Sequence, residues 1–166
     1  RFIGLEILLG WTLGTEAFFA VLCVVGYTLL MYKEFFIGIW LRPRLARYAL
    51  AHTVVAGWLA LFVYSAVTGR DLWQAPGTMW WFVVANWMIF NVFEFGRKTF
   101  GRDEERPAVE SYSRNFGPGG AALCVAGMAG AAVGIALTIG RSLALGQVFF
   151  MMMWGLLIFT WSAGMM

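Results

Sequence analysis

A chain of 166 residues with 61% hydrophobic and 13% charged side chains, a mean hydropathy of +0.74 and a formal charge of +3 lacks the polar residues to coat a water-soluble core. Lipid must supply much of its solvent, and the expected fold class is all-α, a polytopic transmembrane helix bundle. The small positive charge reads as loop bias and not as a nucleic-acid footprint, so no nucleic-acid partner is expected.

The sequence opens on Arg1 with no signal-peptide cleavage pattern. Residues 2–10 read as the stub of an apolar span, which points to a piece of a longer chain forming one transmembrane domain over 1–166. Phe2 to Met31 carries only Glu6 and Glu16 as charges, too long a run for one crossing, and Gly10 and Gly14 offer the break. About five full spans follow at roughly 20 residues each: 15–32, 47–66, 78–98, 119–139 and 145–164. Arg42-Pro43, Gln74-Ala75-Pro76-Gly77 and Gly117-Pro118-Gly119-Gly120 supply the turn chemistry between them. Cys23 and Cys124 both lie in apolar runs, as helix-borne thiols and not a disulfide.

Basic residues alternate between the connections. Lys33, Arg42, Arg44 and Arg47 fall in the first, Arg70 alone in the second, Arg97, Lys98, Arg102, Arg106 and Arg114 in the third, and Arg141 alone in the fourth. The positive-inside rule then puts the two basic loops and the C-terminus in the cytoplasm. The fourth span is nearly all Gly and Ala, with Ala126, Gly130 and Gly134 spaced for close helix approach. The last, around Met151-Met152-Met153-Trp154, is bulky enough to meet lipid, an apolar ligand or another chain.

The end of the third full span carries the chemistry. Asn91, Glu94 and Lys98 stand at i, i+3 and i+7 and share a helix face. Unpaired polar groups near the membrane boundary are expensive. Oxygen ligands from Asn91, Glu94 and Asp103 suit a hard divalent ion. Lys33, Arg97, Lys98 and Arg102 suit a diphosphate, as forks or point charges. A plain i, i+4 ion pair followed by a solvated loop explains the same residues. His52, the lone histidine, suits either an axial ligand to a tetrapyrrole or an intramembrane hydrogen bonder. No second ligand or attachment motif accompanies it, and the second role is expected.

The run Leu29-Leu30-Met31-Tyr32-Lys33-Glu34-Phe35-Phe36-Ile37-Gly38-Ile39-Trp40-Leu41 resembles a segment of bacterial UbiA-like membrane proteins. So does Glu94-Phe95-Gly96-Arg97-Lys98, followed by Asp103-Glu104-Glu105 and Val109-Glu110-Ser111-Tyr112-Ser113. The resemblance to the UbiA-type prenyltransferase superfamily covers roughly residues 25–117. It implies a UbiA-like helical bundle in the bacterial inner membrane, with an apolar cavity under a cytoplasmic cap. It further implies Mg2+-dependent transfer of a prenyl group from an isoprenyl diphosphate, with Asn91 and Glu94 on the second acidic motif. The family's aspartate pair is here Glu94 and Lys98, and its first acidic motif is absent from the chain. Prenyl transfer by this chain alone is therefore not expected. The alternative expectation is a non-catalytic transmembrane subunit or assembly factor of a larger complex, one that could contain pigment or haem, with lipid and other membrane subunits as partners.

Overall fold

The long apolar runs become helices because a chain in lipid must satisfy its backbone hydrogen bonds internally. The computed structural model describes residues 2–105 and 109–163, and among them every regular element is helical. In chain order these are α1 (Phe2–Thr12), α2 (Thr15–Tyr32), α3 (Gly38–Leu41), α4 (Leu45–Thr53), α5 (Val55–Thr68), α6 (Gly77–Gly96), α7 (Tyr112–Ser142) and α8 (Gln147–Ala163). Several threonine hydroxyls inside the apolar helices are satisfied by their own backbone, whereas the buried Ser65 hydroxyl of α5 finds no partner among the described residues. Thr28 donates to the Val24 carbonyl at 2.9 Å, Thr68 to Tyr64 at 2.8 Å and Thr138 to Gly134 at 2.9 Å.

Among the described residues, three helices are long and apolar enough to cross a membrane: α2, the nearly continuous α4–α5 stretch Leu45–Thr68, and α7. The chain is thus an integral membrane protein by the length and composition of its helices. The other two expected spans differ in kind. α6 has the length, at 20 residues, but Asn86, Asn91, Glu94 and its tryptophans dilute its apolar character. α8 is apolar but covers 17 residues, about 26 Å at the helical rise. Large apolar side chains point outward on many helices, including Val67 on α5, Leu123 on α7 and Met151 on α8. Lipid contact accommodates them.

The chain divides into two units, Arg1–Val83 and Val84–Met166, with the boundary inside α6. In the first, α1 and α2 form a tight pair joined through Gly14, whose φ of 111° suits a residue without Cβ. The ring of Trp11 meets that of Phe18 edge-on at 5.0 Å. α2 packs along α5 around Ala20, Leu61 and Leu72, with Cys23, Trp58, Phe62, Met79 and Val83 against them. At one end of this unit lies a cavity of about 350 Å³ lined by Glu16, Asp71 and Trp73 among others. At the other end lies the basic turn between α2 and α4.

In the second unit, α7 and α8 pack closely at Gly140, where any Cβ would strike the Phe149 ring. Among the described residues, a Cβ on Gly130 or Gly134 would meet nothing within 4 Å. α7 also begins earlier than the predicted 119. Tyr112–Phe116 form a first helical turn, Gly117 (φ 73°) breaks it, and the apolar run resumes from Pro118. The Gly-Pro-Gly-Gly run thus does break the helix, and the long apolar segment starts within a residue of the expected 119. Both cysteines are free thiols, as expected.

Candidate functional site

α6 ends where its apolar run meets Glu94, and helix spacing places Arg97 and Lys98 beside that carboxylate. Arg97 Nη2 lies 2.6 Å from Glu94 Oε2, and its Nε donates to the same oxygen. Lys98 Nζ lies 3.5 Å from Oε1. One carboxylate thus carries two cations, and its side chain is only 18% exposed. Asn91, one turn deeper, is fully buried and donates from Nδ2 to the Trp87 carbonyl at 2.8 Å. The ordinary i, i+4 pair is present, and the i+3 arginine makes it a three-residue cluster.

Arg102 and Asp103 sit in a 3-10 turn over Arg102–Glu104, both exposed. Among the described residues no ion pair ties either to Glu94. Arg106 lies outside the described residues. The structure therefore gathers Glu94, Arg97 and Lys98, sets Asn91 beneath them, and leaves Arg102 and Asp103 on the following loop.

That loop is pinned by residues whose role the sequence reading missed. Ser111 is 1% exposed and is the N-cap of α7, accepting from the Arg114 backbone N–H at 3.1 Å and donating to the Glu105 carboxylate at 2.9 Å. Ser113 Oγ accepts from the Phe100 N–H at 2.9 Å. Tyr112 N–H donates to the Lys98 carbonyl at 3.0 Å, and its ring stacks on Phe95 at 3.9 Å. Hydrogen bonds from Ser113 and Ser111, together with the nearby Arg114 charge, hold the Glu105 carboxyl below its usual value. A serine just before an apolar helix was the available signal. The tyrosine between two serines has no spacing rule of its own.

Ile89 and Val92 of α6 line a cavity of about 260 Å³ with Ala132, Val133, Met153 and Leu156 of α7 and α8. At 100° per residue, Ile89 and Val92 point away from the Asn91–Glu94 face. The cavity and the charged cluster therefore use different sides of α6.

Lys33 and His52 belong to the first unit. Lys33 caps α2 with Nζ 5.5 Å from the Tyr32 ring centre. His52 Nδ1 lies 2.8 Å from the Tyr48 carbonyl, which can only accept, so Nδ1 carries the proton. Its ring stacks on Tyr48 at 3.9 Å and meets Phe35 edge-on at 5.7 Å. Glu34 accepts from Arg42 Nε with both oxygens at 2.8 Å, which holds that guanidinium above its usual value.

Among the described residues, no three His, Cys, Asp or Glu side chains gather to hold a metal ion. Magnesium commonly rests on one or two carboxylates with phosphate and water completing its shell. Glu94 and Asn91 would be the residues to meet that lighter requirement, and an ion there would have to take the Glu94 oxygens from Arg97 and Lys98. No protein-family model, curated protein or solved structure matches the chain.

Proposed function

We propose that the chain is a UbiA-like protein of the bacterial inner membrane that acts in Mg2+-dependent transfer of a prenyl group from an isoprenyl diphosphate. The observation that carries this reading is the joint hold of Arg97 and Lys98 on Glu94 at the end of an apolar helix. Cations placed there by helix geometry can exchange a carboxylate for a diphosphate without moving the backbone. They would then stabilise the charge that develops on the leaving group. Arg102, on the next turn of chain, is a further phosphate contact in this reading; Lys33, which the resemblance also implied, belongs to the first unit. Glu94, Asn91 and Asp103 are the oxygen donors toward magnesium, which would supply additional charge neutralisation when bound.

This reading takes α6 and α8 as the third and fifth of five crossings, with the loops holding Lys33 and Asp103 and the C-terminus on the cytoplasmic side. Single cysteines at positions 70 and 103 should then label from opposite sides of the membrane. The activity test is prenyl transfer by the full-length protein with and without magnesium. Glu94→Gln should abolish it, and an unchanged rate would remove the role assigned to that residue.

A second reading, a non-catalytic subunit or assembly factor of a larger membrane complex, is favoured by one observation. α8 exposes Val148, Met151, Met152, Ile158, Phe159 and Trp161, a broad apolar surface that another helix could cover. Purification in mild detergent separates the two readings. Stoichiometric partner chains or a bound pigment support the subunit, and a lone active protein supports the enzyme.

A further inference from the structure

We infer that the turn between α2 and α4 is a binding site for the headgroup of an anionic phospholipid, with Arg44 and Arg47 as its phosphate contacts. Chain connectivity fixes where this turn lies. α2 ends at Tyr32 and the next membrane-length stretch begins at Leu45, so residues 33–44 sit at a membrane boundary. The turn presents two kinds of surface there.

One is apolar and fully outward. Ile39 is 97% exposed and Phe36 79% exposed. Side chains of this size on a membrane-boundary turn seat at the level where headgroups meet acyl chains. The other surface is cationic and unneutralised. The Arg44 and Arg47 guanidinium carbons lie 4.6 and 5.2 Å from the centre of the same Trp40 ring. Arg44 Nη1 also donates to the Trp40 carbonyl at 2.6 Å, which fixes its position. Both guanidinium groups therefore lie around one indole, and the positive charge they gather there is one that an anion would offset. No carboxylate among the described residues does so, because Glu34, the acidic group of this turn, is bonded to Arg42 by both oxygens. A phosphodiester flanked by two acyl chains complements both surfaces at once: guanidinium forks for the phosphate, Phe36 and Ile39 for the chains.

The inference is independent of prenyl transfer and needs neither Glu94 nor Lys33. The test uses the full chain purified in a mild detergent and exposed to equal amounts of phosphatidylglycerol and phosphatidylcholine, with retained lipid counted by native mass spectrometry. Phosphatidylglycerol should be retained preferentially, and the preference should fall about fivefold for each of Arg44→Gln and Arg47→Gln. Arg70→Gln, on a different connection, should leave the preference intact. The wild-type protein supplies a second measurement should either variant fail to fold: raising NaCl to about 1 M should shrink the preference, since screening then acts within about 3 Å. Equal retention of the two lipids, or a preference unchanged by both substitutions or by salt, overturns the inference.

Discussion

Glu34 and Glu94 each stand near the end of a long apolar helix, and each is bound by arginine, yet the backbone reaches that result by opposite routes. Glu94 lies inside the last turn of α6, so its partners at i+3 and i+4 arrive by helical geometry alone. Glu34 lies beyond the end of α2, and its partner is eight residues on. To bring them together, Glu34, Phe35 and Phe36 all take left-handed backbone conformations, with φ of 51°, 53° and 59°. Each such residue costs about 1–2 kcal/mol when it carries a Cβ. The turn is held by its contacts: Phe35 sets its ring 5.4 Å from Tyr27 and 5.7 Å from His52. Gly38 leaves the space that the Glu34 carboxylate occupies. The lesson is that one ion pair is a by-product of a helix, whereas the other is part of what shapes its turn.

The largest expected effect tests whether the Glu94 cluster depends on the packing beneath it. Tyr112 is fully buried, stacked on Phe95 and bonded through its N–H to the Lys98 carbonyl. Tyr112→Ala should destabilise the protein by about 3–5 kcal/mol, the range for removing a buried aromatic ring. Thermal unfolding in detergent measures it. Tyr112→Phe keeps the stack and removes a hydroxyl that has no hydrogen-bond partner among the described residues. It should be neutral or stabilising by about 1 kcal/mol. A large loss in Tyr112→Phe would show instead that the hydroxyl is bonded in the working protein.

The strained turn predicts the reverse sign. Phe36→Gly removes the Cβ that makes φ 59° costly while deleting an exposed ring. It should raise stability in detergent by about 1 kcal/mol while weakening retention of phosphatidylglycerol. Destabilisation on the same scale would mean that the left-handed turn carries no strain to release. Glu94→Gln, by contrast, should cost less than about 1 kcal/mol in the same unfolding measurement, because Arg97 is half exposed and water takes over its solvation. A loss of several kcal/mol would place the cluster in a far drier setting than its exposure indicates.

The contrast between the two glutamates also explains what could be read from sequence. The helical fold and the Glu94–Lys98 pair follow from apolar run length and from a fixed spacing, both of which are local. The α2 boundaries of 15 and 32 coincide with the helix for the same reason. Arg97 was expected to face a diphosphate, and its bond to Glu94 is the i+3 half of the same local rule. The Glu34–Arg42 pair has no helical register, and no periodicity announces three consecutive left-handed residues. The Ser111–Glu105 clamp joins residues six apart across a loop, again without a repeat to reveal it. The helices α6 and α8 lie close to the expected 78–98 and 145–164 because apolar run length and turn residues are also local, but run length gives no weight to the polar groups that set α6 apart from the three membrane-length helices. A glycine every fourth position permits a close approach but does not name the neighbour, and the close contact found within the second unit is at Gly140 instead.

The smallest effect concerns Glu105, which the loop clamp holds and which has no counterpart in the α2–α4 turn. Hydroxyl bonds from Ser113 and Ser111, with the Arg114 charge, favour its ionised form, so its folded pKa lies below the ordinary 4.5. A depressed carboxylate contributes stability that is fully present above the unfolded pKa and is lost as pH falls through the folded one. Neutral pH should therefore show the full contribution, and the unfolding midpoint should begin to fall as pH drops below about 4.5. Ser113→Ala should flatten that dependence by returning the folded pKa toward its unfolded value, with Ser111→Ala adding the loss of the α7 cap at every pH. Parallel pH profiles for wild type and Ser113→Ala would show that the loop is held by its backbone contacts and not by the carboxylate.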